Sequence, residues 1–177
     1  MRSSGGPRRW TRLATVANGA HLFYELAAGV AMPFASRTGP VVAAAGWATG
    51  TAAAYSAAGR RNRSWDGIFG LLNGVYLTAV IAHFIYWPKR WIGGVPYLTE
   101  CEGMRGAVVA PYNGILCVSG VAAVAGLFEH GRAGARGALV TLVGVPLLLR
   151  LQAIEFRRLR VQAQRQPGWW NRRLQPE

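Results

Sequence analysis

Apolar residues in this chain come in runs of about twenty, and most of the charge sits between or beside those runs. Five such stretches can be marked, at 13–35, 39–58, 66–87, 107–128 and 137–156. A helix needs ~20 apolar residues to cross the ~30 Å hydrocarbon layer. The pattern therefore predicts an all-α fold, a polytopic transmembrane helical bundle. Trp65 and Trp87 bracket the third stretch 22 residues apart. At ~1.5 Å per residue they stand about 33 Å apart, the spacing of two interfacial aromatic belts.

Small residues mark where helices can approach closely. Gly46, Gly50, Ala54 and Ala58 form a ribbon along the second stretch, and Gly70 and Gly74 repeat the device in the third. Such ribbons predict packing within one bundle, with a homo-oligomer seam or a membrane partner subunit as the other use. The fifth stretch is weaker: GALVTLVGVPLLL offers 13 residues before Arg150, with Pro146 inside.

Charge bears on that stretch. The chain has 20 Lys and Arg against 7 Asp and Glu. With the N-terminus inside and four crossings, 16 cations lie inside and 4 outside; a fifth crossing changes this to 9 against 11. The positive-inside rule favours the first distribution. The expectation is four full spans plus a fifth short spanning or re-entrant helix, in the plasma (inner) membrane, with a cytoplasmic N-terminus. Residues 1–12 read as a basic cytoplasmic N-terminus, 13–156 as the membrane bundle, and 157–177 as a basic C-terminal tail lying on a membrane surface or solvated. The first apolar stretch reads as an uncleaved span rather than a removed signal peptide. Topology accounts for the cations, so nucleic acid is not an expected partner. Cys101 and Cys117 fall at different depths and form no paired-cysteine metal motif.

Polar residues inside the runs carry the chemistry. Asn18, His21 and Glu25 fall at i, i+3 and i+7, one stripe of the first helix. Trp47, Thr51 and Tyr55 recur every four residues in the second, while Asn73, Tyr76 and His83 share a face of the third. Tyr112, Asn113 and Cys117 lie in the fourth. Lipid penalises each stripe, so the expected arrangement turns them toward a shared polar pocket. Depth along the helices places Glu25, Tyr76 and Asn113 in one layer, with His83 nearer the outer interface. The loop PKRWIGGVPYLTECEGMRGA is expected to fold over the bundle mouth, bringing Glu100 and Glu102 with it.

An acid and an imidazole one turn apart at bilayer depth point to proton chemistry. The leading expectation is a membrane enzyme acting on a lipophilic, isoprenoid or polyketide-derived substrate by isomerisation, cyclisation or hydration. His21 and Glu25 are its candidate catalytic pair, and Asn18, Trp47, Tyr55, Asn73, Tyr76 and Asn113 its candidate substrate contacts. His21-x-x-x-Glu25 resembles the pair of emopamil-binding-type sterol isomerases, over those two positions only. Metal binding by His21 with Glu25 lacks a second ligand pair of comparable strength, so neither metal nor cofactor is expected. Two other classes stay open: an accessory or scaffold subunit of a membrane complex, and a proton-coupled carrier element.

Overall fold

The structure is a computed structural model that describes residues 7–60 and 62–175, apart from the side chain of residue 133. The first six residues of the basic N-terminus, Arg61 of the second loop and the last two tail residues lie outside it. Among the described residues the helices are α1 (Arg9–Ala28), α2 (Ala35–Thr38), α3 (Pro40–Ala58), α4 (Asp66–Tyr86), α5 (Val109–Glu129) and α6 (Arg132–Arg165). Two antiparallel hairpins separate α4 from α5: β1 (Lys89–Ile92) with β2 (Val95–Leu98), and β3 (Glu100–Cys101) with β4 (Met104–Arg105).

Three helical segments, Arg63–Tyr86, Gly106–Glu129 and Gly134–Arg165, are long and apolar enough to cross a membrane. This differs from the expected four spans plus one short helix. Helix α1 falls short because it carries Arg12, Asn18, His21 and Glu25, and α3 because it is built largely of Ala, Gly, Thr and Ser. The fifth segment, expected to be short, forms the longest helix, 34 residues or about 51 Å. Pro146 removes the hydrogen bond to the Leu142 carbonyl, yet the helix continues through it. Leu139, Leu142, Val143 and Leu147 leave one side of α6 apolar and exposed.

Backbone contact holds α6 against α4. A Cβ on Gly74 would lie 2.2 Å from the Gly137 carbonyl oxygen, and a Cβ on Gly137 would lie 2.0 Å from that of Gly70. Thr141 Oγ1 donates across the seam to Gly74 O at 3.0 Å. The Gly70/Gly74 ribbon is thus an internal packing face. On α3, by contrast, Gly46 and Gly50 have no atom within 4 Å of where a Cβ would stand.

Because α6 runs parallel to α4 and outlasts it, its second half reaches the hairpin end of the bundle. There Phe156 meets Trp87 at 5.0 Å between ring centroids, and Ser36 Oγ donates to Glu155 at 2.6 Å. The boundary expected at 156/157 falls inside this helix. Residues 166–175 then fold back onto the end of α1. Ala31 N donates to Trp170 O at 2.8 Å and Arg173 N to Gly29 O at 2.9 Å. Gly29 adopts φ +84, and a Cβ there would lie 2.6 Å from Arg172 Cγ. Arg172 and Arg173 donate to the Ala27 and Ala28 carbonyls, placing cations at a helix C-terminus where the dipole favours them.

The opposite end is tied by charge. Helix α1 has no side-chain N-cap of its own; Glu129, at the end of α5, accepts from Trp10 N at 2.9 Å and Thr11 N at 3.0 Å. The buried Arg8 guanidinium donates to Asp66, Arg60 O and Asn62 O, each at 2.6 Å. Removing a donor to charged and carbonyl partners of this kind costs about 2–3 kcal/mol. Arg8→Ala should lose that much in denaturation of detergent-solubilised protein. Arg8→Lys should recover only part of it, because an ammonium cannot reproduce the fork.

Candidate functional site

Three helices bring four chemically active side chains to one point near the hairpin end. Helix α1 supplies His21 and Glu25 on one face, α4 supplies His83 from its last turn, and α5 supplies Tyr112 from its first. They are 2, 3, 8 and 0% exposed, so the cluster is shut off from solvent.

Glu25 is its hub. The Tyr112 hydroxyl donates to Glu25 Oε1, and His83 Nε2 lies 3.4 Å from the same oxygen. The other His83 nitrogen, Nδ1, sits 2.7 Å from Ala79 O. A carbonyl only accepts, so Nδ1 carries the hydrogen and Nε2 is turned toward the carboxylate. Two lone pairs facing each other repel, so this geometry calls for a proton or a cation shared between Nε2 and Oε1. The His21 ring stands edge-on to His83 at 5.6 Å and to Tyr112 at 6.4 Å. His21 Nδ1 is buried without a hydrogen-bond partner. One ligand atom each from His21, Glu25 and His83 lie within 4.8 Å of one another. His83 is thus the further donor that the spacing of His21 and Glu25 alone does not reveal.

The expected fold-back of the outer loop is found, and it takes the form of the two hairpins. Leu98, Cys101 and Met104 are fully buried beneath it. Asn113 pins the loop down: its Oδ1 accepts from Leu98 N at 2.8 Å and its Nδ2 donates to Leu98 O at 3.0 Å. Glu102 occupies the β3–β4 turn at φ +50. Burial, with Glu25 adding repulsion and His83 opposing, pushes its carboxyl from 4.5 up to about 8. Burial likewise raises the Cys101 thiol, with Glu102 and Glu25 adding to it. Both shifts favour the uncharged forms of Glu102 and Cys101 beside the cluster.

A testable pH dependence follows. Between its ordinary value of 4.5 and about 8, folded protein keeps a proton on Glu102 that the unfolded chain has released. Stability should fall as pH rises through that window and level off above it. The groups facing Glu102 are Glu25, His83, Gln152 and Glu155. In chelator-treated protein, Glu102→Gln should flatten the profile between pH 5 and 9. At the alkaline end it should raise stability by on the order of 1–2 kcal/mol.

The other residues expected at the site stand elsewhere. Asn73 donates to Thr11 Oγ1 and Phe69 O, both at 2.9 Å, close to the Glu129 end of the bundle. Tyr76 donates to Thr15 Oγ1 at 3.3 Å. The Trp47 indole donates to Pro33 O at 3.1 Å. Tyr55 lies under the Arg12 guanidinium at 3.9 Å, and Asn18 is buried on α1. Of the layer expected to join Glu25, Tyr76 and Asn113, Asn113 lies at the depth of Glu25, whose carboxylate its neighbour Tyr112 reaches, and Tyr76 is separated by helix register. Helices α1 and α4 run parallel with Thr15 beside Tyr76, so Glu25, ten residues and ~15 Å further on, meets His83 instead. On α5, Tyr112 and Asn113 point ~100° apart, and Tyr112 takes the direction of Glu25. Tyr112, Leu116, Ser119 and Ala123 fall at i, i+4, i+7 and i+11 on one buried face of α5, and Asn113 is buried beside it.

A separate apolar groove of about 430 Å³ lies between α1 and α3, lined by Val16, Gly19, Phe23, Thr51 and Tyr55 among others. No cluster residue lines it. Comparison of the chain with protein-family models, with curated proteins and with solved structures finds no match.

Proposed function

We propose that this chain is a small integral membrane enzyme that performs acid–base chemistry at Glu25 on a lipophilic substrate. The chemistry is isomerisation, cyclisation or hydration of an isoprenoid or polyketide-derived molecule. One observation carries the reading: a buried carboxylate accepts from a tyrosine hydroxyl while an oriented imidazole nitrogen faces it at 3.4 Å. Glu25 exchanges the proton with substrate, Tyr112 steadies the anion, and His83, held by Ala79 O, relays from Nε2. His21 closes the fourth side.

In this reading all five long helices lie in the plasma membrane. Helix α1 is tolerated there because Thr11, Thr15, Asn18, His21 and Glu25 face inward, leaving positions such as Leu13 and Val16 toward lipid. The Arg8 end is cytoplasmic, and the hairpins and the C-terminal tail lie on the far side.

Each of the three reactions is taken to begin by protonation of a carbon–carbon double bond, which places on carbon a proton that Glu25 takes from solvent between turnovers. Detergent-solubilised protein incubated with a total lipid extract in D₂O should therefore label one lipophilic species with deuterium, read by mass spectrometry, and Glu25→Gln should not. Equal labelling by both proteins, or labelling by neither, contradicts the proposal. A second reading, an accessory subunit of a membrane complex, is supported by the uncovered Gly46–Gly50 face of α3. It is favoured if labelling fails and a partner protein co-purifies through that face.

A further inference from the structure

The orphaned nitrogen of His21 and the separation between His83 and Glu25 have a common explanation. A charge-assisted hydrogen bond between an imidazole and a carboxylate closes to ~2.7–2.9 Å, whereas His83 Nε2 stands 3.4 Å from Glu25 Oε1. Zinc bonds to nitrogen and oxygen ligands are ~2.0–2.2 Å long, and at tetrahedral angles two such ligands lie ~3.3–3.5 Å apart. The Glu25–His83 distance matches two groups sharing one ion, and His21 completes a set of three ligand atoms within 4.8 Å of one another.

Three further features fit. His83 gives its Nδ1–H to Ala79 O at 2.7 Å, the outer-shell contact that metal-bound histidines make to leave the other nitrogen as ligand. Tyr112 donates to the Glu25 carboxylate, the equivalent support for a carboxylate ligand. His21 Nδ1 is buried with no partner, and burying such a group unsatisfied costs ~1–3 kcal/mol, which coordination through that nitrogen would remove.

We propose that His21, Glu25 and His83 bind one divalent transition-metal ion of the zinc class. Three protein ligands leave a fourth position open, the arrangement of catalytic rather than structural zinc. Two neutral imidazoles and one carboxylate place a single negative charge against the ion, leaving one net positive charge in a dry interior. A hydroxide or an anionic substrate group in the fourth position balances it. This assignment does not rest on the acid–base reading: an ion held by Glu25 and His83 occupies the atoms that reading uses to move a proton, so the two are alternatives for one cluster.

The test uses the full chain in detergent, stripped with chelator and dialysed against Zn²⁺ alone, with bound metal counted by elemental mass spectrometry. One equivalent per chain is expected. His21→Ala and His83→Ala should each weaken binding by more than about 100-fold, and Tyr112→Phe, an outer-shell change, by about 10–100-fold. Co²⁺ substitution of the unaltered protein gives a readout independent of variant folding, a tetrahedral spectrum with nitrogen and oxygen ligands and no thiolate band. Substoichiometric binding, binding unchanged in both histidine variants, or a Co²⁺ spectrum showing octahedral or thiolate coordination would overturn the site. Failed binding with intact deuterium labelling removes the metal and leaves the acid–base reading. Stoichiometric binding without labelling does the reverse.

Discussion

Gly137→Leu is expected to abolish the folded bundle, with the monodisperse species lost from size-exclusion chromatography. A Cβ at this position would stand 2.0 Å from the Gly70 carbonyl oxygen and 2.8 Å from its carbon. Both are backbone atoms, so no rotamer change relieves the clash and the two helices must separate. Separation also breaks the Thr141 bond to Gly74 O and draws the second half of α6 away from Trp87. Overpacking alone costs ~1–3 kcal/mol. Losing the seam as well should raise this to about 4 kcal/mol or more, the range reserved for disrupted cores. Gly46→Leu is the control, since its Cβ meets nothing within 4 Å. That variant should match the unaltered protein within about 0.5 kcal/mol.

The second large effect concerns chemistry. Glu25→Gln should lower deuterium incorporation by on the order of 10²–10⁴-fold, the usual contribution of a positioned acid–base group. The amide is close in size to the carboxylate and still accepts from Tyr112, so the thermal transition should move by only a few degrees. Tyr112→Phe should give a smaller loss, because the hydroxyl supports the carboxylate without replacing it. A Glu25→Gln protein of full activity would assign the proton transfer to another group.

The sequence carries much of this fold and only part of the site. Long apolar runs announce helices wherever lipid or core demands them, and the four-residue spacing of Gly70 and Gly74 is enough to mark a close contact. The length of α6 is hidden because Pro146 and Arg150 read as terminators. Both are exposed on α6, and the helix runs through them without a break. Within the site, His21 and Glu25 are legible because i and i+4 share a face whatever their neighbours do. Their partners depend on the relative register of α1, α4 and α5, which periodicity within one helix does not contain. Tyr76 and Asn113 therefore differ from the true partners, His83 and Tyr112, in register and rotation and not in the kind of chemistry they offer. The hairpins escape a helical reading because their four- and two-residue strands are shorter than any hydrophobic period can resolve.

Whether this buried cluster exists for reactivity or merely to hold the helices together is decided by the stability of Glu25→Met/Tyr112→Phe. The double change removes both ends of the central hydrogen bond and keeps the volume nearly constant, which is close to neutral when the bond serves no folding role. A cluster kept for chemistry should give a melting temperature equal to or above that of the unaltered protein, with deuterium labelling abolished. A fall of about ten degrees or more, roughly 3 kcal/mol for a domain of this size, would make the four residues structural fastening and contradict the functional centre.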